Sequence, residues 1–433
     1  MNPLKRTNAR SQHERPYTVL AYRDYRLIWS AEFLSNTGSQ IQRVAVAWQV
    51  FELTRDPLQL GLLGLARFIP LVMFGLVGGM LADRYDRRTT IIVVQTAQML
   101  VAATFAIMTA TGQIAMLHIY ALTAIAALLA SISTPARHAL IPTLVPREAM
   151  PSAMTMGVLA MQTAGMAGPA LGGVLVATIG VAGSYAIDAL TFGVIALSAF
   201  ALKTRVERTA PTISGLSAIG EGIQFLRQTP VLLATMVLDF LATFFGASMV
   251  LMPVFAAEIL GGGPQTLGLL LSAPATGAVA GASVMASRRP LARPGLGILG
   301  AIAVYGLALI AFALSRNLWL SCALLAVSGA ADSVSVTQRH TLRNVVTPDA
   351  LRGRVAAAHA TFAGGGPQLG ELQAGLIASR VGAPAAVVVG GVCTLVAALV
   401  VARLVPGLRN LRWDKTQPQS TPEKASKTPD EAL

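Results

Sequence analysis

Seven ionisable side chains stand inside otherwise apolar runs of this sequence: Glu32, Arg43, Arg67, Asp188, Asp239, Asp332 and Glu371. Holding a charge in an apolar medium is costly, so each is a candidate for binding, proton exchange or ion pairing. A carboxylate in that setting can exchange a proton or attract a cation, and an arginine supplies it with a partner. Asp188 and Asp332 read first as packing or hydrogen-bonding groups. Trp48, Phe244, Phe245 and Phe255 suit stacking on an aromatic substrate or, as is usual near membrane ends, anchoring at the interface. The residues of other chemistries are missing: there is no Ser-His-Asp grouping, no metal-ligand spacing and no phosphate loop followed by Lys and Ser or Thr. Cys322 and Cys393 lie in separate apolar runs and suit neither a disulfide framework nor a metal site. No catalytic residue and no cofactor is expected, and the chain does not read as an enzyme.

The elements that must position these charges follow from composition. Of 433 residues, 54% are hydrophobic and 12% charged, against roughly 25% charged in an average soluble domain. Such a chain lacks the polar coat that water demands, and an integral membrane protein is the simplest reading. The net charge of +13 sits in short clusters between apolar runs, which is the layout of membrane loops and not of a nucleic-acid groove. The first twenty residues are polar and basic, so no cleaved signal peptide is expected. A spanning helix needs about twenty mostly apolar residues. Runs near 27–51, 59–81, 90–111, 115–136, 154–177, 182–202, 231–254, 265–286, 295–314, 318–337, 355–378 and 382–404 predict an all-α fold of twelve transmembrane helices. The expected organisation is an N-terminal tail (1–26), a six-helix bundle (27–202), a linker (203–230), a second six-helix bundle (231–404) and a disordered tail (405–433) rich in Thr, Pro, Lys and Glu.

With the N-terminus inside, 28 of the 33 Lys and Arg residues fall on cytoplasmic segments, and only Arg55, Arg316 and Arg380 lie outside. That skew places both termini in the cytoplasm. The two halves also echo each other at an offset of 202 residues. Arg137-His138-Ala139-Leu140 matches Arg339-His340-Thr341-Leu342, while Gly79, Arg87, Gly173 and Gly180 fall onto Gly281, Arg289, Gly375 and Gly382. A six-plus-six repeat implies two pseudo-symmetric bundles around a midplane cavity, where transporters of that build bind substrate. His138 and His340, as repeat equivalents, read as architecture.

The run from Gly79 through Asp83, Arg84, Arg87 and Arg88 closely resembles the signature between helices 2 and 3 of the major facilitator superfamily. It departs at Asp86, where that signature has Gly; an Asp in an unusual backbone conformation is expected to make the turn. Gly79 permits close helix packing, and Asp83 wants a cation, for which Arg137 is the candidate. The resemblance implies that Gly79, Asp83, Arg84, Arg87, Arg88 and Arg137 form an inner gate. In helix 5, Gly165 and then Gly168-Pro169-Ala170-Leu171-Gly172-Gly173 resemble the signature of the antiporter branches, and the resemblance favours export. Pro169 removes a backbone hydrogen bond, and Gly168, Gly172 and Gly173 give a thin packing face. Tyr25-Arg26-Leu27-Ile28-Trp29, Leu60-Gly61-Leu62 and 221–226 are similar to the branch of enterobactin exporters and macrolide efflux proteins, and 292–296 to its siderophore side.

In this superfamily helices 2 and 11 meet across the bundles. At 1.5 Å per residue, Arg67 lies about 12 Å and Glu371 about 10 Å below the outer surface, so the two are expected to pair when the outer side closes. Glu371 is expected to carry the coupling proton, with Arg43, also about 12 Å deep, nearby in the cavity. Glu32 and Asp239, on the cavity-lining helices 1 and 7, are expected to attract cationic drugs, Glu32 being also close enough to a helix end to snorkel. The implied function is secondary active transport: proton-coupled, multidrug-type or siderophore-like efflux of an amphipathic small molecule by alternating access, in a bacterial inner membrane. The expected partners are substrate, protons and lipid, with no nucleic acid, and the chain acting as a monomer. Import of a metabolite on the same fold and a lipid-handling membrane protein are the alternatives.

Overall fold

The computed structural model describes residues 16–412 apart from 85, 204–219, 221–223 and 289–290, and only the backbone of 16, 75–84, 138, 350, 357–358 and 360–363. The first half holds α1 (Arg23–Thr54), α2 (Pro57–Arg84), α3 (Arg87–Ala110) and α4 (Met116–Leu144). The helical run Met150–Phe200 then breaks at Gly180 into α5 (150–179) and α6 (181–200). In the second half α7 begins as Pro230–Phe245 and continues through irregular helical turns to Ile259. α8 (Pro264–Ser287), α9 (Pro294–Leu314), α10 (Leu318–Val346), α11 (Arg352–Val381) and α12 (Ala383–Leu404) complete it.

Local sequence explains the punctuation. Proline opens α2, α7, α8 and α9, where its fixed φ suits the first helical turn and its missing N–H costs nothing. Gly180 (φ 77°) and Gly382 (φ 85°) separate α5 from α6 and α11 from α12. Both adopt a conformation closed to most side chains, and they are equivalent at the 202-residue offset.

Nine helical segments among the described residues are long and apolar enough to cross a membrane, one of them holding both α5 and α6. α1 and α11 fall outside that set because of their composition. α1 carries Glu32, Arg43 and a row of Ser, Asn and Gln, and α11 carries Gln368, Glu371 and Gln373. Elsewhere large apolar side chains face outward, with Leu117 and Leu404 each 75% exposed, as lipid contact requires and water would penalise.

Within the first half α1 packs on the α5–α6 run and α4 on α2 and α3; within the second, α10 packs on α8 and α9, and α7 on α11 and α12. Two helix pairs make most of the contact between the halves, α2 with α11 and α5 with α8. Both rely on glycine. A Cβ on Gly61 would stand 3.0 Å from the Gly375 Cα, and one on Gly173 would stand 3.0 Å from the Gly268 Cα. Gly61 and Gly268 are each the fifth residue of a helix that opens with proline, so the two contacts are pseudo-symmetric.

These contacts lie toward the arginine-poor ends of the helices. There a single apolar core draws on both bundles, from Val44, Phe51 and Leu60 to Phe255, Leu267 and Phe312. At the arginine-rich ends the described residues form separate cores, one around Tyr25, Ile28 and Leu140 and another around Leu232, Ile298 and Leu342. The bundles are thus fused on one side. Most of the 203–230 segment lies outside the described residues, as do 413–433. Beyond α12, Pro406–Asn410 forms a short helix where disorder is expected from the sequence, because Leu408 buries itself in the second bundle's core.

Candidate functional site

A cavity of about 690 Å³ opens in the first bundle, bordered by α11 of the second. Helical periodicity builds its wall. Ser35, Ser39, Gln42 and Arg43 recur at the spacing of one α1 face, Gln95 and Gln98 are one turn apart on α3, and so are Ser133 and Arg137 on α4. Arg67 and Leu71 of α2, Phe105 of α3, Phe192 of α6 and Gln368 of α11 also line it. Gln95 donates its amide to the Ser133 hydroxyl at 3.0 Å, which fixes α3 against α4.

Arg67 and Glu371 meet across the bundle boundary. One guanidinium nitrogen of Arg67, Nη1, lies 3.3 Å from each carboxylate oxygen, and the side chains are 33% and 16% exposed. A single helical turn from Arg67, Gly64 admits Glu371: a Cβ there would stand 2.7 Å from the Glu371 Cβ. Arg43 lies within electrostatic range of both Arg67 and Glu371. It is exposed to the cavity and makes no hydrogen bond or ion pair among the described residues.

The second bundle has its own charged site. Asp239 of α7 and Arg339 of α10 form an ion pair at 2.7 Å with side chains only 11% and 7% exposed. They border a cavity of about 240 Å³ together with Asp332, His340, Arg343 and His359. Arg343 reaches His340 Nδ1 at 2.8 Å, and the rings of His340 and His359 meet edge to face at 5.8 Å. Two sequence expectations change here. Asp239 is not a free acid awaiting a cation, since α10 runs past its apolar stretch to Val346 and carries Arg339, counted above with the loops, to its side. Asp332 opens into this cavity and is not a packing group. Asp188, by contrast, is fully buried, with Thr191 donating to its backbone carbonyl at 2.8 Å and its Oδ2 unpartnered.

Glu32 of α1 lies in electrostatic range of Arg137 of α4. Because Arg137 and Arg339 are repeat equivalents, an acid on the first helix and an arginine on the fourth recur in each bundle, in contact only in the second. Only the backbone of Gly79, Asp83 and Arg84 is described, so the expected Asp83–Arg137 pair lies outside the described residues. Asp86 has φ −60° and does not adopt the unusual conformation expected of it. It caps α3 instead, its carboxylate accepting from the Thr89 amide at 2.9 Å, an arrangement that Asp serves better than Gly. Arg87 donates to the Ala139 carbonyl of α4 at 2.9 Å, and Arg88 to Ala199 at 2.9 Å and to Phe200 at the end of α6. Ala199 and Phe200 stand at the end of α6, where carbonyls lack full helical pairing and cations suit them.

The helix 5 glycines serve two partners. Gly168 and Gly172 face Gln40 and Ile41 of α1, and Gly173 faces α8. Trp48 and Phe255 belong to the shared core, while the cavity's own aromatic walls, Phe105 and Phe192, carried no signal in the sequence. Nor did the amides, since Gln disturbs an apolar run less than a charge does.

Residues 15–427 match the transmembrane secretion effector family of the major facilitator superfamily. The chain belongs to this family. Its members are transporters and not enzymes, and the chain is accordingly a multi-pass membrane transporter. Among relatives, it is 28% identical over 402 residues to the enterobactin exporter EntS of Citrobacter koseri, covering 92% of this chain and 95% of that protein. It is likewise 28% identical over 401 residues to EntS of Escherichia coli strain K12, with the same coverage. The fold matches an inward-facing, unoccupied bacterial homolog of the human lysosomal transporter Spinster, with TM-score 0.71, 15% identity and 91% and 99% of the two chains covered. It also matches the nucleoside transporter NupG, with TM-score 0.67, 14% identity and 88% and 99% covered.

Proposed function

We propose that this transporter exports an amphipathic small molecule across a bacterial inner membrane by alternating access, with Glu371 carrying the coupling proton. The observation that supports this reading most is the Arg67–Glu371 pair, because it bridges the two bodies that must separate. Ionised, Glu371 attracts Arg67 and reinforces the Gly61–Gly375 contact. Protonated, it loses that attraction, and α2 and α11 are free to part. The pair is therefore a two-position element that a proton can bias.

The arginine skew supports both termini in the cytoplasm, which makes the fused side the outer one and gives the cavity its opening to the cell interior. The relatives' printed role as exporters supports the outward direction. The mixed wall of Phe105, Phe192 and Leu71 with amides and hydroxyls suits a ligand that is part apolar. Asp83, Arg84, Arg87, Arg88 and Arg137 would close the other side in the outward-facing state. The cavity is complete within one chain, which suits a monomer. The test is Glu371→Gln in sealed vesicles: substrate exchange down its own gradient continues, and proton-driven accumulation is lost. Undiminished accumulation in that variant would remove Glu371 from the coupling.

A further inference from the structure

Three guanidiniums line the larger cavity, those of Arg43, Arg67 and Arg137, and no carboxylate lines it among the described residues. Two acids stand close by. Glu371 holds Arg67 and lies within range of Arg43, and Glu32 lies within range of Arg137. Among the described residues one positive charge is left over, and the hydrogen-bonding capacity of Arg43 is unused there. In the second bundle the charges balance, Asp239 and Asp332 against Arg339 and Arg343, so no surplus acid there offsets the excess.

We infer that the transported substrate is an organic anion and that Arg43 is its principal binding residue, with Arg137 lining the same cavity. The inference rests on the export reading for direction but not for the site itself. A cation entering this cavity adds to an uncompensated charge in a poorly screened space, whereas an anion offsets it and supplies the acceptors that Arg43 lacks. The expectation that acids on α1 and α7 draw in cationic drugs gives way, because Asp239 is already matched and neither acid lines this cavity.

The test uses two dyes built on one ring system with opposite charge, fluorescein and rhodamine 6G, with binding to the purified protein followed by fluorescence anisotropy. Fluorescein binds saturably and rhodamine 6G at least tenfold more weakly. Arg43→Gln weakens fluorescein by about tenfold or more, the scale of a lost hydrogen bond to a charged group, and Arg43→Lys keeps most of the affinity. Rhodamine 6G binding as tightly as fluorescein, no saturable fluorescein binding, or unchanged affinity in a folded Arg43→Gln protein would each overturn the inference. If Arg43→Gln does not fold, the comparison of dye charge on the wild-type protein decides alone. Inverted vesicles separate the two readings. Fluorescein bound but never accumulated leaves the anion site standing and removes export; rhodamine 6G accumulated in its place leaves export standing and removes the anion site.

Discussion

Replacing Asp239 by asparagine and Arg339 by glutamine, singly and together, probes how the second bundle holds its buried charge. The pair is 2.7 Å apart, with side chains 11% and 7% exposed. Removing one partner of such a pair strands the other in a poor solvent, at about 3–5 kcal/mol. The surroundings make the two losses unequal. Asp239→Asn leaves Arg339 within reach of a second carboxylate, Asp332, which places its cost near the lower end, about 3 kcal/mol. Arg339→Gln leaves Asp239 and Asp332 facing each other, and Arg343 is already engaged by His340. Its cost falls near the upper end, about 5 kcal/mol. The double variant removes both ions and costs less than the sum by about 3 kcal/mol, the upper end of coupling between contacting residues. Thermal unfolding of the purified proteins in one detergent measures the order: wild type highest, Asp239→Asn lower, Arg339→Gln lowest of the singles, and the double no worse than Arg339→Gln. Additive losses, or Asp239→Asn below Arg339→Gln, would refute the reasoning about Asp332.

Gly375→Leu forces α2 and α11 apart, since even a Cβ there would stand 2.8 Å from the Gly61 Cα. Spin labels at Arg55→Cys and Arg380→Cys, with Cys322 and Cys393 changed to serine, then report a longer distance by pulsed electron resonance. Gly300→Leu, facing open space, leaves that distance unchanged, and equal distances in both variants would contradict the packing role. Exporting an anion against an entering proton moves charge in one electrical sense at both steps. Each charge gains about 2.3 kcal/mol per 100 mV of membrane potential. A potassium diffusion potential, positive inside inverted vesicles, therefore speeds accumulation of an anionic substrate; indifference to potential would rule out an electrogenic cycle.

Much of the architecture was legible because the bilayer imposes few solutions. Long apolar runs become helices, arginines collect on one side, and a repeat in sequence becomes a repeat in space. Gly180 and Gly382 show it at single-residue scale, sharing an offset and the same unusual backbone geometry. What stayed hidden was pairing. Arg67 and Glu371 are 304 residues apart, and only the resemblance placed their helices together. Arg339 reads as a loop cation because hydropathy follows the apolar stretch, while hydrogen bonding carries α10 to Val346; its place in the Arg-His repeat is the one available hint. Asp86 departs from the expected turn for a simpler reason, since a residue replacing Gly can cap the next helix without entering the conformation that Gly allows.

The most direct measurement is proton movement in energised inverted vesicles, with the pH gradient followed by dye quenching while candidate substrates, anionic and cationic, are added. The account predicts that an anionic substrate collapses the gradient in vesicles carrying the protein, and fails to do so with Glu371→Gln. Substrate accumulation with the gradient untouched, or an unaltered response in Glu371→Gln, would contradict it.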